Sequence, residues 1–316
     1  KTMAATATQP DNDPIIQMMA HYPEFELDVM LVAGDSVFDL SGYDLVVAQE
    51  AFGSGDAIYK PGGTLGLENI KVPFIYNKAY ALRNGRAVTS AAASAGQIPA
   101  NELNITVEAG MESHPLFSGI TITDNTIQVF KSGASDDGST GEKTSQFAAD
   151  LEMTADNTLL AMLTGAEGNI SVSYNDIPAG TVLGTEDTLH ARMIAISNNF
   201  GAICKDDGTN MTDEGLTIWR NAFFVAAGLP APDTLYKLTV VELNDDATLS
   251  DLQVDGTTVT GFASGTYSYN VELPAGTTTV PTVTATPTDA NANAVVTPAA
   301  SLPGSTTVVV TAEDGT

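Results

Sequence analysis

Two short segments of this sequence carry the residue types that catalysis or ligand binding needs. The first, QEAFGSGD, supplies one amide, two carboxylates and one hydroxyl: Gln49, Glu50, Ser54 and Asp56. The second, VPFIYNKAYAL, is an apolar run that leads directly into Asn77, Lys78 and Tyr80. A carboxylate can serve as a general base, and amide, ammonium and phenol groups can hold polar ligands by hydrogen bonds. We therefore take the two segments as candidate parts of one site.

Structural alternatives stay open for each segment. QEAFGSGD could be a hydrated turn in which Gly53 and Gly55 supply unusual backbone angles. Lys78 could pair with a nearby carboxylate, such as that of Glu50, for structural reasons alone. His114, in SHPLFSGI, could be a general acid or base, but we favour a structural role in which its ring caps the backbone of the following turn.

The chain offers little that would hold a metal or a cofactor. It has no His-x-x-x-His or Cys-x-x-Cys spacing, and no glycine-rich phosphate loop follows a strand. The oxygen-rich segments 132–143 and 204–215 could hold Ca²⁺, but neither has EF-hand spacing, and Asp-Asp-Gly commonly marks a plain turn. Tyr267 and Tyr269 could stack on sugar rings, although such a pair more often covers a core. We expect no cofactor and no metal site.

The composition narrows the range of partners. The chain has 12 basic and 39 acidic residues, a net charge of −27, which repels phosphate backbones and anionic lipid. No apolar run reaches the ~20 residues that span a bilayer. We therefore expect a carbohydrate or a similar polar ligand as the partner, and neither nucleic acid nor membrane insertion. Cys204 is the one cysteine, which excludes an intrachain disulfide, and Lys1 in place of Met indicates that the natural start is missing.

The composition and periodicity of the sequence change near residue 232. Up to Gly228, strand-like segments alternate with helix-like ones, which predicts an α/β domain with a mostly parallel sheet and helices on both faces, over residues 1–230. Its clearest helices are DPIIQMMAHY, with Asp13 as the N-cap, and TDEGLTIWRNAFFVAAG, with Thr212 as the N-cap. The segment 229–237 is a proline-containing linker. Short β-branched runs then predict an antiparallel sandwich over residues 238–316.

The tail resembles the cadherin-like, Ig-like β-sandwich module of bacterial surface and secreted proteins. The resemblance covers residues 247–316 and rests on the Leu-x-x-Leu-x-Val-x-Gly opening, the strand GTYSYNVELP and the closing VTAEDGT. It implies an extracellular, periplasmic or cell-surface location in a bacterium. Such modules continue through one more strand, so we expect the last strand to be missing and a sheet edge to be open.

The first domain resembles the flavodoxin-like branch related to class I glutamine amidotransferases, especially the ThuA-like group. The residues that carry this are GYDLVVAQEAFGSGD, HPLFSGI (114–120) and LTIWRNAFFVAAGL. The resemblance implies that VPFIYN is a central strand and that Asn77–Tyr80 lies at its carboxyl end, where open α/β sheets bind ligands. An amidotransferase needs a thiolate at that turn, whereas Cys204 lies far along the chain, so we do not expect that activity.

Three functions stay open. The favoured one is a secreted or surface-attached bacterial protein that binds carbohydrate without turnover at the carboxyl edge of the sheet, with the sandwich as a spacer or docking module that could contact other modules or subunits. Its ligand-binding residues would be Gln49, Glu50, Ser54, Asp56, Asn77, Lys78 and Tyr80. The second is a glycan-directed hydrolase that uses Glu50 with Lys78 or His114. The third is a structural or assembly protein with a vestigial site.

Overall fold

The chain divides into two compact units, Lys1–Val240 and Val241–Thr316. The computed structural model describes residues 2–4, 12–50, 53–99, 102–133, 143–155, 158–165, 168–236 and 243–316.

The first unit contains fourteen strands in its described part and is organised around a nine-stranded mixed sheet. The strands are β1 Thr2–Ala4, β2 Val29–Leu31, β3 Val46–Ala48, β4 Phe74–Tyr76, β5 Ser94–Pro99, β6 Asn104–Val107, β7 Thr126–Gln128, β8 Lys143–Ala149, β9 Leu159–Leu163, β10 Ile170–Val172, β11 Tyr174–Ile177, β12 Val182–Leu183, β13 Asp187–Thr188 and β14 Met193–Ala195. The large sheet has the order β2-β1-β3-β4-β14-β11-β9-β6-β7. Pairing is parallel from β2 to β14 and antiparallel from β14 to β7.

The remaining strands of this unit form two small antiparallel sheets. One has the order β10-β8-β5 and the other pairs β12 with β13. In the large sheet, β4 and β14 lie side by side in the middle, with Phe74 opposite Met193 and Tyr76 opposite Ala195. The middle of the sheet is therefore the boundary between its parallel and its antiparallel half.

The predicted flavodoxin-like α/β class is wrong, because the described chain is mainly β. It has three α-helices: α1 Pro14–Met19, α2 Phe200–Gly208 and α3 Asp213–Ala227. A doubly wound sheet needs a helix at nearly every crossover. Between β4 and β14, however, the described residues hold nine further strands and no α-helix. Antiparallel pairs outnumber parallel ones over the whole described chain.

Local chemistry explains which predicted helices form. The Asp13 side chain accepts hydrogen bonds from the backbone of Ile15 and Ile16 at the start of α1, and Thr212 caps α3 through the N–H of Gly215. The segment GTLGLENI (63–70) forms consecutive turns and no α-helix. It has two glycines, which disfavour a helix, and its three aliphatic side chains are buried without helical structure.

The large sheet separates two hydrophobic clusters. Side chains alternate along a strand, so Ile75 of β4 packs with Trp219 of α3 and Met18 of α1 in one cluster, whereas Phe74 and Tyr76 belong to the other. Helices α1 and α3 cover the first face. The second face is covered by loops and by the small sheet that contains β8.

The second unit is all β in its described part and consists of two small antiparallel sheets. Its strands are β15 Leu249–Val254, β16 Thr257–Thr258, β17 Val283–Pro287, β18 Asn293–Thr297 and β19 Thr307–Thr311, arranged as β16-β15-β17 and β18-β19. The segment TYSYNVELP (266–274), predicted as a strand of an Ig-like sandwich, pairs with no strand among residues 243–316. Tyr267 in it is 94% exposed. The segment alternates in sequence as a strand would, but it does not pair as one, and Tyr267 is not buried.

None of the helices in the described ranges combines the length and the apolar composition that crossing a bilayer requires.

Candidate functional site

The two segments singled out in the sequence meet at one edge of the large sheet. Strands β3 and β4 are parallel, with Ala48 opposite Tyr76, so the residues that follow each strand emerge side by side. Gln49 and Glu50 follow β3, and the segment that begins with Asn77 follows β4. We call this place the carboxyl edge.

The centre of the carboxyl edge is an ion pair between Glu50 and Lys78. The ammonium group of Lys78 bonds to Oε1 of Glu50, and the side chains are 4% and 12% exposed. The same oxygen accepts a bond of 2.9 Å from Nε2 of Gln146, and Oε2 accepts one of 3.2 Å from the backbone N–H of Phe200, the first residue of α2. Both carboxylate oxygens are therefore engaged by the protein. These three bonds occupy three of the roughly four acceptor positions of the carboxylate, which leaves one position on Oε2.

Gln49 and Asn77 form a buried layer beneath this pair. Nδ2 of Asn77 donates to Oε1 of Gln49 at 2.8 Å, and Nε2 of Gln49 donates to the carboxylate of Asp13 at 3.4 Å. The hydroxyl of Tyr59 donates to the backbone carbonyl of Gln49 at 2.7 Å. Burial raises the pKa of Asp13 to about 6, against the opposing effect of hydrogen bonds from Ile15, Ile16 and Gln49. Gln49 thus links the carboxyl edge to the cap of α1.

The glycine-rich loop of the first segment accommodates charged side chains at close range. Oδ2 of Asp56 accepts a bond of 3.0 Å from the N–H of Gly53, and it lies 2.5 Å from the place where a Cβ atom on Gly34 would stand. The guanidinium of Arg86 similarly fills the space beside Gly55. Neither Gly53 nor Gly55 has a positive φ. The interpretation that they supply unusual backbone angles is therefore wrong, and at Gly55 the reason for glycine is space.

Two arginines of this edge were missed by sequence reasoning. Nη2 of Arg83 donates to Oγ of Ser54 at 3.2 Å, and its guanidinium lies 4.4 Å from the centre of the Tyr80 ring. Arg86 packs against Gly55 as described above. The signal was present in the sequence, because these are two of only 12 basic residues and both follow Lys78 within eight positions.

Three polar atoms at the carboxyl edge are buried without a hydrogen-bond partner. They are Oδ1 of Asn77, Oε1 of Gln146 and Nε of Arg83. An unpartnered buried polar atom costs about 1–3 kcal/mol unless a water molecule or a ligand supplies the bond. Two of the three are acceptors and one is a donor, and each is covered by the protein's own atoms.

A neighbouring buried amide, Asn198, shows the contrasting case. It follows β14 at the same edge, and its Nδ2 donates to the hydroxyl of Tyr174 at 2.7 Å, while its Oδ1 accepts from Nε1 of Trp219 at 2.9 Å. Both the NH2 group and the oxygen of the Asn198 amide therefore bond to side chains in the interior. We assign it to the fold and not to ligand binding.

His114 lies at the opposite edge of the sheet. Its Nε2 is 3.1 Å from Oδ2 of Asp176, its Nδ1 accepts from the N–H of Leu116 at 3.1 Å, and Arg192 bonds to both oxygens of Asp176. Arg192 immediately precedes β14, which runs parallel to β4, so this group sits where those strands begin. Burial alone would raise the pKa of Asp176, but hydrogen bonds from Arg192 and His114 outweigh it and lower the pKa to about 2. The structure does not bring His114 together with Glu50 and Lys78.

The other residues considered as ligand groups lie elsewhere. Most of the segment 132–143 falls outside the described residues, and in the segment 204–215 the carboxylate of Asp206 pairs with Lys205 at 3.0 Å. Across the described ranges, no group of three His, Cys, Asp or Glu side chains is placed to hold a metal ion. The hydroxyl of Tyr269 bonds to the backbone of Ala263 within the second unit.

Comparison with known proteins gives one informative match. A gellan lyase from Bacillus sp. is 49% identical over 73 residues, which make up 23% of this chain and only 3% of that protein. No family model matches the chain, and no solved structure matches it. The resemblance to flavodoxin-like, ThuA-like and glutamine amidotransferase-like proteins is wrong, because the fold is mainly β and no such family model matches. The resemblance of the tail to cadherin-like modules likewise finds no family model.

Proposed function

We propose that this protein is a secreted or surface-attached bacterial protein that binds a carbohydrate at the carboxyl edge, without chemical turnover. The observation that carries the proposal is the set of unpartnered buried polar atoms around the engaged Glu50–Lys78 pair. The second unit is proposed to serve as a spacer or docking module.

The chemistry of the edge supports a polyhydroxylated ligand. A sugar hydroxyl both donates and accepts, and acceptors on Asn77 and Gln146 and a donor on Arg83 have no protein partner. Because all three atoms are buried, the ligand would have to displace covering side chains to reach them. Buried groups that are held in place before binding lose little conformational entropy when the ligand arrives. Asn77 and Gln146 are both held by a hydrogen bond through the other half of the amide.

The matched relative supports a carbohydrate in a second way. Its name states that it is a lyase acting on gellan, a polysaccharide, and its source is a Bacillus species. Because the match covers a small share of either protein, we extend from it only the class of ligand and a bacterial location outside the cell.

Binding without turnover fits the geometry better than hydrolysis. Hydrolysis of a glycosidic bond generally uses two carboxyl groups, one of which must exchange protons with the substrate. Both oxygens of Glu50 are engaged by the protein, and Asp56 holds the N–H of Gly53. His114, the other candidate acid or base, lies at the opposite edge.

The experiment is a binding screen of the whole chain against neutral and acidic polysaccharide fragments, including gellan fragments, by calorimetry and thermal shift. We expect at least one fragment to bind the wild type and Glu50→Gln to weaken that binding by about tenfold. Glutamine keeps a single acceptor oxygen, so one of the bonds from Gln146 and Phe200 is lost together with the charge that pairs with Lys78. His114→Gln, at the opposite edge, is the matched control and should bind as the wild type does. Chromatography of the fragment after incubation should show its length unchanged. Shortening would favour the hydrolase, and absence of any binding would contradict the proposal.

A further inference from the structure

The carboxyl edge concentrates positive charge in a strongly acidic protein. Lys78, Arg83 and Arg86 lie within nine residues and are three of the 12 basic residues in a chain of net charge −27. The carboxylates of Glu50 and Asp56 lie at the same edge, and that of Asp13 contacts it through Gln49. Basic residues are therefore far denser here than in the chain as a whole.

The four arginines of the chain fall into two kinds. Arg192 binds both oxygens of Asp176 and the carbonyl of Val225, and Arg220 donates to the Asn221 side chain and to backbone carbonyls. Those two arginines are used by the fold. Arg83 and Arg86 form no ion pair within the described ranges, although the chain carries 39 carboxylates.

Both of these guanidinium groups nevertheless have defined neighbours. Arg83 donates to the hydroxyl of Ser54 and lies over the face of Tyr80, and the end of Arg86 packs beside Gly55. Both side chains are half-buried, and Nε of Arg83 has no partner. A guanidinium presents its donors as a rigid planar fork that matches the two oxygens of a carboxylate. Two positioned arginines with donors to spare are what recognition of an anionic group requires.

We propose that the carbohydrate bound at the carboxyl edge is acidic and that Arg83 and Arg86 bind the carboxylate group of a sugar unit. Asn77 and Gln146 accept hydrogen bonds from hydroxyl groups of the same or the adjoining sugar. The ligand class is thus a polysaccharide that contains uronic acid. This inference rests on the proposed function and adds to it the charge of the ligand and the residues that select it.

The test compares one sugar backbone with and without its charge. Oligomers of galacturonate, glucuronate and mannuronate, each as the carboxylate and as the methyl ester, are titrated into the whole chain by calorimetry at low and at physiological ionic strength. We expect at least one carboxylate form to bind about tenfold or more tightly than its ester, since only the carboxylate accepts the bidentate bonds. Raising the salt should weaken binding of the carboxylate and leave the ester unchanged.

Variants then locate the selectivity. Arg86→Gln should weaken binding of the carboxylate about tenfold and leave binding of the ester unaffected. Arg83→Gln should weaken the carboxylate about tenfold and the ester much less, since the ester loses only the donor Nε. Arg83→Lys should give an intermediate loss because it keeps the charge and loses the fork. Lys71→Gln is the matched control: it removes one positive charge at an exposed position just before β4, at the other end of that strand, and should change neither affinity. Circular dichroism verifies that each variant is folded.

Five results would overturn the inference. Equal affinity for carboxylate and ester, or equal loss of both in Arg83→Gln, would mean that the arginines only hold the two loops together. Binding of sulfated oligosaccharides with none of carboxylated ones would assign the site to a different anion. If neutral glycans bind and acidic ones do not, the inference fails while the proposed function stands; if no glycan binds at all, both fail.

Discussion

The guanidinium of Arg86 occupies the space beside Gly55 in which any other side chain would begin. Its Cζ lies 3.1 Å from the position of a Cβ atom built on Gly55, and Nη1 lies closer still. The glycine has no positive φ, so it is required for space and not for its backbone conformation. The lack of a side chain at Gly55, in the loop after β3, therefore leaves room for the guanidinium of Arg86, which follows β4.

This relationship predicts that Gly55→Ala separates function from stability. The added methyl group must displace the flexible end of Arg86, which costs little, so we expect the free energy of unfolding to change by less than about 1 kcal/mol. Affinity for an acidic oligosaccharide should fall about as much as in Arg86→Gln. Gly42→Ala is the control, since a Cβ atom there meets nothing within 4 Å. Urea unfolding and calorimetry measure the two quantities, and an unchanged affinity would contradict the role of this contact.

The Glu50–Lys78 pair predicts a strongly non-additive mutant cycle. Either Glu50→Gln or Lys78→Met leaves a nearly buried charge without its partner, which we expect to lower the free energy of unfolding by about 3 kcal/mol. The double variant should recover part of that loss, because no unpaired charge is left. Urea unfolding of the four proteins tests this. Losses that simply add would show that the two side chains stabilise the fold independently.

From the buried carboxyl group of Asp13 we predict that the free energy of unfolding declines as the pH rises from about 4 to 6. Burial raises the pKa of the folded carboxyl to about 6 from an ordinary value of 3.8, so in that window the folded state binds more protons than the unfolded state. Its contribution is complete at low pH and is lost as the pH passes 6, by up to about 3 kcal/mol. Asp13→Asn keeps a side-chain cap on α1 and removes the titration.

Urea unfolding at several pH values between 4 and 7 measures this effect. The difference in stability between wild type and Asp13→Asn should shift in favour of the variant as the pH rises. A difference that does not vary with pH would mean that Asp13 is not the titrating group. Asp39→Asn is a suitable control, because Asp39 is exposed and caps only its own turn.

For Asp176 we predict the opposite dependence of stability on pH, at lower pH values. Hydrogen bonds from Arg192 and His114 lower its pKa to about 2, so its stabilising effect is present above pH 4 and is lost as the pH falls from 4 to 2. Because the site is partly solvated, we expect a contribution of no more than about 2 kcal/mol. Asp176→Asn should lower stability near pH 6 and make no difference near pH 2. Acid unfolding followed by circular dichroism measures both, and an equal loss at both pH values would contradict the assignment.

The sequence allowed half of the carboxyl edge to be predicted. Glu50 and Lys78 each follow an apolar run, and parallel neighbouring strands bring such positions together, so their proximity could be expected. Gln146 and Phe200 could not be predicted in the same way, because they reach Glu50 from 96 and 150 positions further along the chain. No local pattern carries information about contacts at that separation.

The elements of the fold that depend on neighbouring residues could likewise be predicted from the sequence, and those that depend on distant residues could not. The helix caps Asp13 and Thr212 and the strand around Ile75 belong to the first kind. The direction in which β11 runs beside β14 belongs to the second kind, because the same alternation of side chains serves a parallel or an antiparallel neighbour. The parallel assignment was extended from the first strands to the later ones, and the antiparallel half of the sheet was missed.

The pairing of β4 with β14 also has a consequence for the order of folding. Phe74 pairs with Met193 across about half of the length of the first unit, so the middle of the sheet cannot close until the later strand has been synthesised. Closing a long loop is slow, because its entropy must be lost before the contacts compensate. During synthesis the chain therefore carries β3 and β4 with an open inner edge, and the carboxyl edge is completed only when Phe200 has left the ribosome.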